Sequence, residues 1–427
     1  MTEWREVALG DGLAVHHGFA FKGEYFVDDG DLIVLTPGNF VDSGGFKDKS
    51  GKEKFYDGPV DDRYLLSRDD VVVAMTEQAH GLLGSSATIP QDARYLHNQR
   101  IGLIEITDPS MLDLRFVYHL MNAPCVRQQI QATATGSKVR HTAPERIRAV
   151  MAHVPSVPEQ RTIGRVLDAI DDLIENNRRR VEVLEEMAWA IYREWFVHFR
   201  FPGYEDAAFV DSDRGPIPEG WRASTCGVEL DYVGGGTPSK QEPAYWDNGT
   251  VDWFTPSDLT KTGLRYPTRS ELRITEAGLA KSSAKLVPSG TVMMTSRATL
   301  GVLAITTGPA STNQGFISVR PDDRWPPHFV REFLDASEAQ LAAIGTGATF
   351  KEITKGAFKS FPFVVPEQTV LDKYRAATAD AELLLASLER ATSQLVAMRD
   401  LLLPKLVTGK IDVSNLDLDA VVEKAAV

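Results

Sequence analysis

The sequence predicts an α+β protein made of two similar globular domains joined by two long antiparallel coiled-coil helices. Three observations predict it. The chain repeats its landmarks in order. Each copy ends in a long heptad run. Within each copy, strand-like stretches come before helix-like ones, with no regular βαβ alternation. Trp4-Arg5 answers to Trp221-Arg222, Thr36-Pro37 to Thr255-Pro256, and Met75-Thr76 to Met294-Thr295. Asn98-Gln99 answers to Asn313-Gln314, and Val157-Pro158-Glu159-Gln160 to Val365-Pro366-Glu367-Gln368. The offsets stay between 208 and 219 residues, so register survives small insertions and deletions. One dipeptide match is weak evidence; five in order are hard to obtain by chance.

The first domain, residues 1–157, carries β-branched and aliphatic runs that predict strands at Leu32–Leu35, Val71–Met75 and Gly102–Ile106. A helix is expected over Asp113–Gln131. The segment 158–199 is the first arm. Its seam runs Ile163, Leu167, Ile170, Ile174, Asn177, Val181, Leu184, Ala188, Ile191, Trp195, in alternating steps of four and three. That is a coiled-coil seam with one polar member, Asn177, which penalises wrong registers. Pro158 suits the first turn. Residues 200–218 form a linker, dense in Pro and Gly and acidic at its centre.

The second domain, 219–365, predicts strands at Val292–Met294, Val302–Thr306 and Phe316–Val319 and a helix over Pro327–Ala343. The second arm, 366–408, has a seam of Val370, Tyr374, Ala377, Ala381, Leu384, Leu388, Ala391, Leu395, Met398 and Leu402, and Pro404 is expected to close it. Each arm is about 35 residues, hence on the order of 50 Å. Neither buries its seam alone, so the two are expected to pair. Residues 409–427 read as a peripheral tail.

At 427 residues the chain is too long for one core. Composition is ordinary, with 43% apolar and 25% charged residues, and no apolar run long enough to span a bilayer occurs. The start lacks an apolar leader, and Cys125 and Cys226 do not match between the copies. The expected compartment is the cytoplasm, with both thiols reduced. A net charge of −13 argues against a simple nucleic-acid coat. The distribution softens this. Residues 1–150 hold 16 Lys+Arg against 21 Asp+Glu, and residues 215–365 hold 15 of each. Local basic clusters can still meet phosphates.

Three sets in each half have the composition of nucleic-acid contacts. The first follows the Met-Thr strand end: Thr76, Glu77, Gln78 and His80, and in the second copy Ser296, Arg297 and Thr299. Hydroxyl, amide and guanidinium groups there suit base edges or phosphates. The second is Asn98-Gln99-Arg100, with Asn313-Gln314 opposite. Asn and Gln pair two-pronged with adenine, and equally serve as turn residues. The third is a glycine-flexed cationic loop. It runs Thr135-Gly136-Ser137-Lys138-Val139-Arg140-His141 in the first copy and Gly345-Thr346-Gly347-Ala348-Thr349-Phe350-Lys351 in the second. Arg146, Arg148, Lys355 and Lys359 extend it. The stretch Gly234-Gly235-Gly236-Thr237-Pro238-Ser239-Lys240 is not a nucleotide-binding phosphate loop, because no glycine precedes the lysine and no strong strand leads in. Thr237 and Lys240 fit a backbone nest for a DNA phosphate, or a plain turn. Catalytic and metal-binding constellations are not found: no metal spacing, no nucleophile elbow, no cofactor fingerprint, and no Asn/Asp-Pro-Pro-aromatic motif of base methyltransferases.

The chain resembles the specificity subunit of a Type I restriction–modification enzyme over nearly its whole length. The resemblance is carried by Val157-Pro158-Glu159-Gln160-Arg161-Thr162-Ile163 leading to Leu167-Asp168-Ala169-Ile170-Asp171, and by Leu184-Glu185-Glu186-Met187-Ala188. It is also carried by Gly235-Gly236-Thr237-Pro238, Asn313-Gln314-Gly315 and Leu401-Leu402-Leu403-Pro404-Lys405-Leu406. It implies two target-recognition domains on double-stranded DNA, each reading half of a bipartite asymmetric site. It implies two modification subunits that bind S-adenosylmethionine and motor–nuclease subunits that use ATP and Mg, with no cofactor or active site on this chain. The first domain has Gly44-Gly45-Phe46 with nearby lysines instead of Gly-Gly-Thr-Pro, so the halves are expected to read different sequences. A non-restriction adaptor joining two protein-interaction domains is the alternative, and an enzyme in its own right is a third reading.

Overall fold

Four consecutive apolar residues, Val71–Ala74, are buried on both faces, which makes this strand the centre of its sheet. In the computed structural model, which describes residues 4–49, 51–77, 81–213, 215–297, 299–347 and 351–413, it lies between Ile101–Ile106 and Ser86–Thr88. Leu13–His17 completes an antiparallel sheet of four. The second repeat builds the same order from Tyr232–Gly234, Phe316–Val319, Val292–Thr295 and Leu303–Ile305, again antiparallel throughout.

A smaller sheet recurs as well. It contains one parallel pair in each copy, Ile33–Val34 with Tyr95–Leu96 and Val251–Phe254 with Ala310–Thr312. Just after the first strand of each pair stands a Thr-Pro landmark. Both threonines open a short helix with a capping box: the Thr36 amide donates to Asn39 Oδ1 at 3.0 Å, and the Thr255 amide to Asp258 Oδ2 at 2.7 Å. The first and last strands of each domain pair with each other, Arg5–Ala8 with Met151–Val154 and Arg222–Thr225 with Pro362–Val365. The duplicated sequence is therefore a duplicated topology in the central sheet, the parallel pair and the terminal strand pair, although the sheet that holds the parallel pair has four strands in the first domain and three in the second.

Two expected helices are each broken in two. Leu114–Asn122 and Pro124–Ala132 are separated because proline forces Ala123 into an extended conformation (ψ 142°). Pro327–Ala336 and Glu338–Ile344 meet at Ser337, whose amide is shared between Phe333 and Leu334 carbonyls.

The long helices are α1, Val157–Tyr192, and α2, Gln368–Leu406. The chain divides into two compact units, one from residues 1–174 and 395–427, the other from 175–394, so each long helix contributes to both. In the first unit, Ile163 and Leu167 from the start of α1 share a core with Leu403 and Leu406 from the end of α2. In the second unit, Tyr192 from the end of α1 packs with Val370, Leu371 and Tyr374 from the start of α2. The pairing is antiparallel. On α1 the residues Ile163, Leu167, Ile170, Ile174 and Asn177 are buried, and Val181 and Leu184 partly so.

α2 departs from the sequence reading in two ways. Leu388 is buried and Leu395 and Leu402 partly so, but the expected seam members Ala377, Leu384 and Met398 are exposed, while Leu385, the neighbour of Leu384, is 1% exposed. The buried face includes Thr378, Glu382, Glu389 and Thr392. Apolar periodicity cannot see such a face, because its polar members are satisfied by specific partners. Pro404 does not close the helix, which continues to Leu406. Lying in the last turn, it loses only one amide bond, and Gly409 at φ 71° follows the end. Among the described residues, no helix is long and apolar enough to cross a membrane.

Candidate nucleic-acid interface

Backbone hydrogen bonds gather the three candidate sets at one end of the central sheet in each domain. In the first domain, Thr76–Glu77 continue the central strand and pair with Arg140–His141 of the glycine-flexed loop. The Met75 amide donates to the Arg100 carbonyl at 3.0 Å, which brings the Asn98–Arg100 turn alongside. In the second domain, the Ser296 amide donates to the Gly315 carbonyl at 2.7 Å, and the Ile353 amide to the Ser296 carbonyl at 2.9 Å. Gly236 donates to Thr312 at 2.9 Å, so the Gly-Gly-Thr loop joins the same end.

The cationic loop is one hairpin made twice. Thr135 and His141 exchange backbone bonds of 3.0 and 2.8 Å, and Thr346 and Glu352 exchange bonds of 2.9 and 2.8 Å. The residue after each threonine is glycine with positive φ, Gly136 at 97° and Gly347 at 122°. A Cβ on Gly136 would meet the Val139 carbonyl oxygen at 2.0 Å, so only glycine admits this turn. Ser137 and Lys138 at the first tip, and Thr346 and Lys351 in the second hairpin, are exposed.

The Asn-Gln pairs also repeat in geometry. Asn98 Oδ1 accepts from the Arg100 amide at 3.2 Å, and Asn313 Oδ1 accepts from the Gly315 amide at 2.8 Å. Both asparagines hold their own turns. The following Gln99 and Gln314 are exposed, as is Arg100. Gln314 Oε1 accepts a bond from the Thr237 hydroxyl, which links the Gly-Gly-Thr loop to the turn. A strand, Tyr232–Gly234, does lead into that loop. Gly235 and Gly236 are obligatory there: a Cβ would lie 2.0 Å from the Asn313 carbonyl oxygen in one case and 2.2 Å from Ser283 Oγ in the other. Lys240 is exposed. Lys355 begins the Lys355–Lys359 helix, and its side chain lies over Gly234, where a Cβ would meet Cε at 2.3 Å.

Some candidate side chains serve the scaffold. Thr76 and Ser296 are buried, because the hairpin covers the strand end that was expected to be open. Thr76 Oγ1 bonds His141 Nδ1 at 3.2 Å. Arg140 pairs with buried Glu77 at 3.1 Å and also bonds the Gln131 carbonyl. Arg297 pairs with Glu352 at 2.8 Å. The polarity of this pair is reversed between the domains, with the acid on the strand in the first and on the hairpin in the second. Gln78 and His80 lie outside the described residues.

The structure adds a patch that the sequence reading passed over. In the first domain Phe19, Phe21, Tyr25, Phe26, Tyr56 and Tyr64 form a chain of ring contacts at 4.9–5.9 Å. Phe19 and Phe26 are more than a third exposed. Lys54 and Arg63 stand over Phe26 and Tyr64. Lys49, partly buried and near Lys54 and Lys47, has its ammonium pKa pushed below the ordinary value by desolvation first and by those like charges next. Cation and ring together suit a phosphate-and-base surface. The signal was present as aromatic residues interleaved with lysine between Phe19 and Tyr56.

The model of the Type I restriction modification DNA specificity domain matches this chain twice, over residues 1–186 and 218–372. The chain belongs to that family. Each match covers one globular domain and reaches into the helix that follows. The MjaIX specificity subunit of Methanocaldococcus jannaschii is 32% identical over 41% of this chain and 40% of its own length. The EcoR124I/EcoR124II specificity subunit of Escherichia coli is 31% identical over 40% of this chain and 45% of its own length. The matched stretch thus spans less than half of those two relatives. The HindI specificity subunit of Haemophilus influenzae is similar over 96% of this chain and all of its own length, at 19% identity. The S subunit of a Type I restriction–modification system from M. genitalium shares the fold, with a TM-score of 0.62 at 14% identity over 95% of this chain and 96% of that one. Among the described residues of this specificity-domain protein, no group of three or more His, Cys, Asp or Glu side chains stands where it could hold a metal ion.

Proposed function

We propose that this chain is the DNA-reading subunit of a Type I restriction–modification complex, with one globular domain on each half of a bipartite asymmetric site. The carrying observation is the convergence of hairpin, Asn-Gln turn and strand end at the same end of the same sheet in both domains. Exposed Gln99, Arg100, Ser137 and Lys138 in one domain, and Gln314, Thr346, Lys351 and Lys355 in the other, supply amide, hydroxyl and cationic donors there. Such groups meet base edges and phosphates. Differences between the two sets favour different half-sites. The paired helices set the distance between the half-sites and scaffold the partners. Two modification subunits bring S-adenosylmethionine, and motor–nuclease subunits bring ATP and Mg. No reaction step is assigned to this chain.

The test is DNA binding by the complex of this chain with its modification partner at a series of salt concentrations. Affinity falls steeply with salt, and Lys138→Ala or Lys351→Ala each lowers the logarithmic slope by about one while leaving sequence preference intact. A complex that binds DNA without salt dependence contradicts the reading. So does a purified chain that cuts or methylates DNA by itself.

A further inference from the structure

Beside its apolar packing on α2, the second domain binds that helix through the buried ionic and hydrogen bonds of a two-residue segment, Arg265–Tyr266. Arg265 has no exposed side-chain surface. Its Nη1 lies 2.6 Å from Glu332 on the Pro327–Ala336 helix, and its Nη2 lies 2.6 Å from Glu382 on α2. The backbone amides of Arg265 and Tyr266 donate to the two oxygens of Glu389, also on α2, at 2.9 and 2.6 Å. The Tyr266 hydroxyl donates to Glu382 at 2.5 Å. The Arg265 carbonyl accepts from the Ile305 amide of the central sheet at 2.7 Å. Arg331 adds a second cation, 3.0 Å from Glu332 and 3.7 Å from Glu185 of α1.

Burying such a cluster gains little net stability over an apolar contact of the same shape. What it adds is direction. Aliphatic surfaces tolerate sliding, whereas a guanidinium fork between two carboxylates has one orientation. The first domain has no arginine at the matching place; its loop there meets α2 through a longer contact, 3.4 Å from Arg399 to the Ser43 hydroxyl. Counting back 219 residues from Arg265 gives Phe46, which packs on Tyr95 with ring centroids 5.1 Å apart.

The segment also connects to the candidate interface. Arg265 follows the helix Pro256–Thr262. That helix opens directly after Phe254, whose carbonyl accepts from the Asn313 amide at 3.0 Å. Gly315 packs on Pro256, where a Cβ would lie 3.2 Å from Cγ. The Asn-Gln turn is thereby held in a fixed relation to α2.

We propose that Arg265 is a positioning residue for the second domain: through Glu332, Glu382 and Glu389 it fixes the orientation of the Asn313–Gln314 turn on α2, and so decides how strictly the second half-site is read, without touching DNA. This role rests on the DNA-reading function proposed above. The test uses the whole complex with its modification partner in a host, and maps methylated sites for the wild type, Arg265→Met, Arg265→Lys and Glu382→Gln. Arg265→Met is expected to leave the first half-site unchanged and to relax discrimination at the second by about tenfold per base. Arg265→Lys keeps the charge, loses the fork, and relaxes it less. Glu382→Gln keeps the shape and shifts the second half-site in the same direction, so the idea stays testable should Arg265→Met fail to assemble. Variants that assemble and read both halves as the wild type does overturn it. So does an equal loss at both halves, which marks a merely structural role. A wild-type complex that methylates no bipartite site overturns the functional reading itself, and this role with it.

Discussion

Asn98 and Gln99 show how neighbouring residues divide labour. The asparagine spends its side-chain oxygen on its own turn, and the glutamine is left exposed. The same division recurs at Asn313 and Gln314. Asn98→Ala and Asn313→Ala should each lower stability by about 1 kcal/mol in thermal or urea unfolding. Gln99→Ala should leave stability within about 0.5 kcal/mol and weaken DNA binding by the complex instead. A second residue-scale effect comes from two buried histidines. Desolvation pushes His97 and His328 down to about 4 from an ordinary 6.5. His97 Nε2 lies 2.9 Å from the Ile101 carbonyl and donates to it. The Thr378 hydroxyl proton goes to the Tyr374 carbonyl, so His328 Nε2 must donate to Thr378 Oγ1. The folded state keeps both rings neutral, while the unfolded chain takes up protons below about pH 6.5. Their contribution is therefore complete above that pH and is lost as pH falls toward 4, by up to roughly 3 kcal/mol for each ring. Unfolding followed at pH 7, 6 and 5 checks this. His97→Gln and His328→Gln should each flatten the profile, and a profile they leave unchanged would contradict the assignment.

At the scale of elements, periodicity and landmarks were legible where burial is apolar. The central strands, α1 and the site of the basic hairpins follow from β-branched runs, heptad spacing and glycine position. α2 was legible in extent and not in orientation. Its buried face holds Glu382 and Glu389, whose partners Arg265 and Tyr266 lie more than a hundred residues away in sequence. Such pairing leaves no local pattern. The break at Ala123 could have been read from Pro124. The break at Ser337 could not, since it depends on one shared amide. In the candidate site, composition found the three sets, and the geometry sorted them. Thr76, Arg140 and Ser296 carry suitable donor groups, yet strand pairing buries or engages them. The aromatic–lysine patch of the first domain is visible in composition, but no landmark of the second repeat answers to it, so repetition does not mark it.

For the whole molecule, duplication supplies two domains of one topology, and divergence makes them unequal. One carries an aromatic and cationic patch, the other a Gly-Gly-Thr loop bound to Gln314. Their strand–hairpin ion pairs have opposite polarity. Two unlike surfaces, one per domain, fit the proposed reading of a target with unlike halves, and on that proposal the interval between the halves belongs to the long helices that contribute to both units. Removing one heptad from each of α1 and α2, at facing positions, shortens the pair by roughly 10 Å, or about three base pairs of B-DNA. The most direct measurement is the methylation map of a host carrying the complex with the wild-type chain or with this shortened one. The account predicts the same two half-sites in both maps, with the spacer between them reduced by about three base pairs. An unchanged spacer, or altered bases within the half-sites at the original spacing, would contradict it.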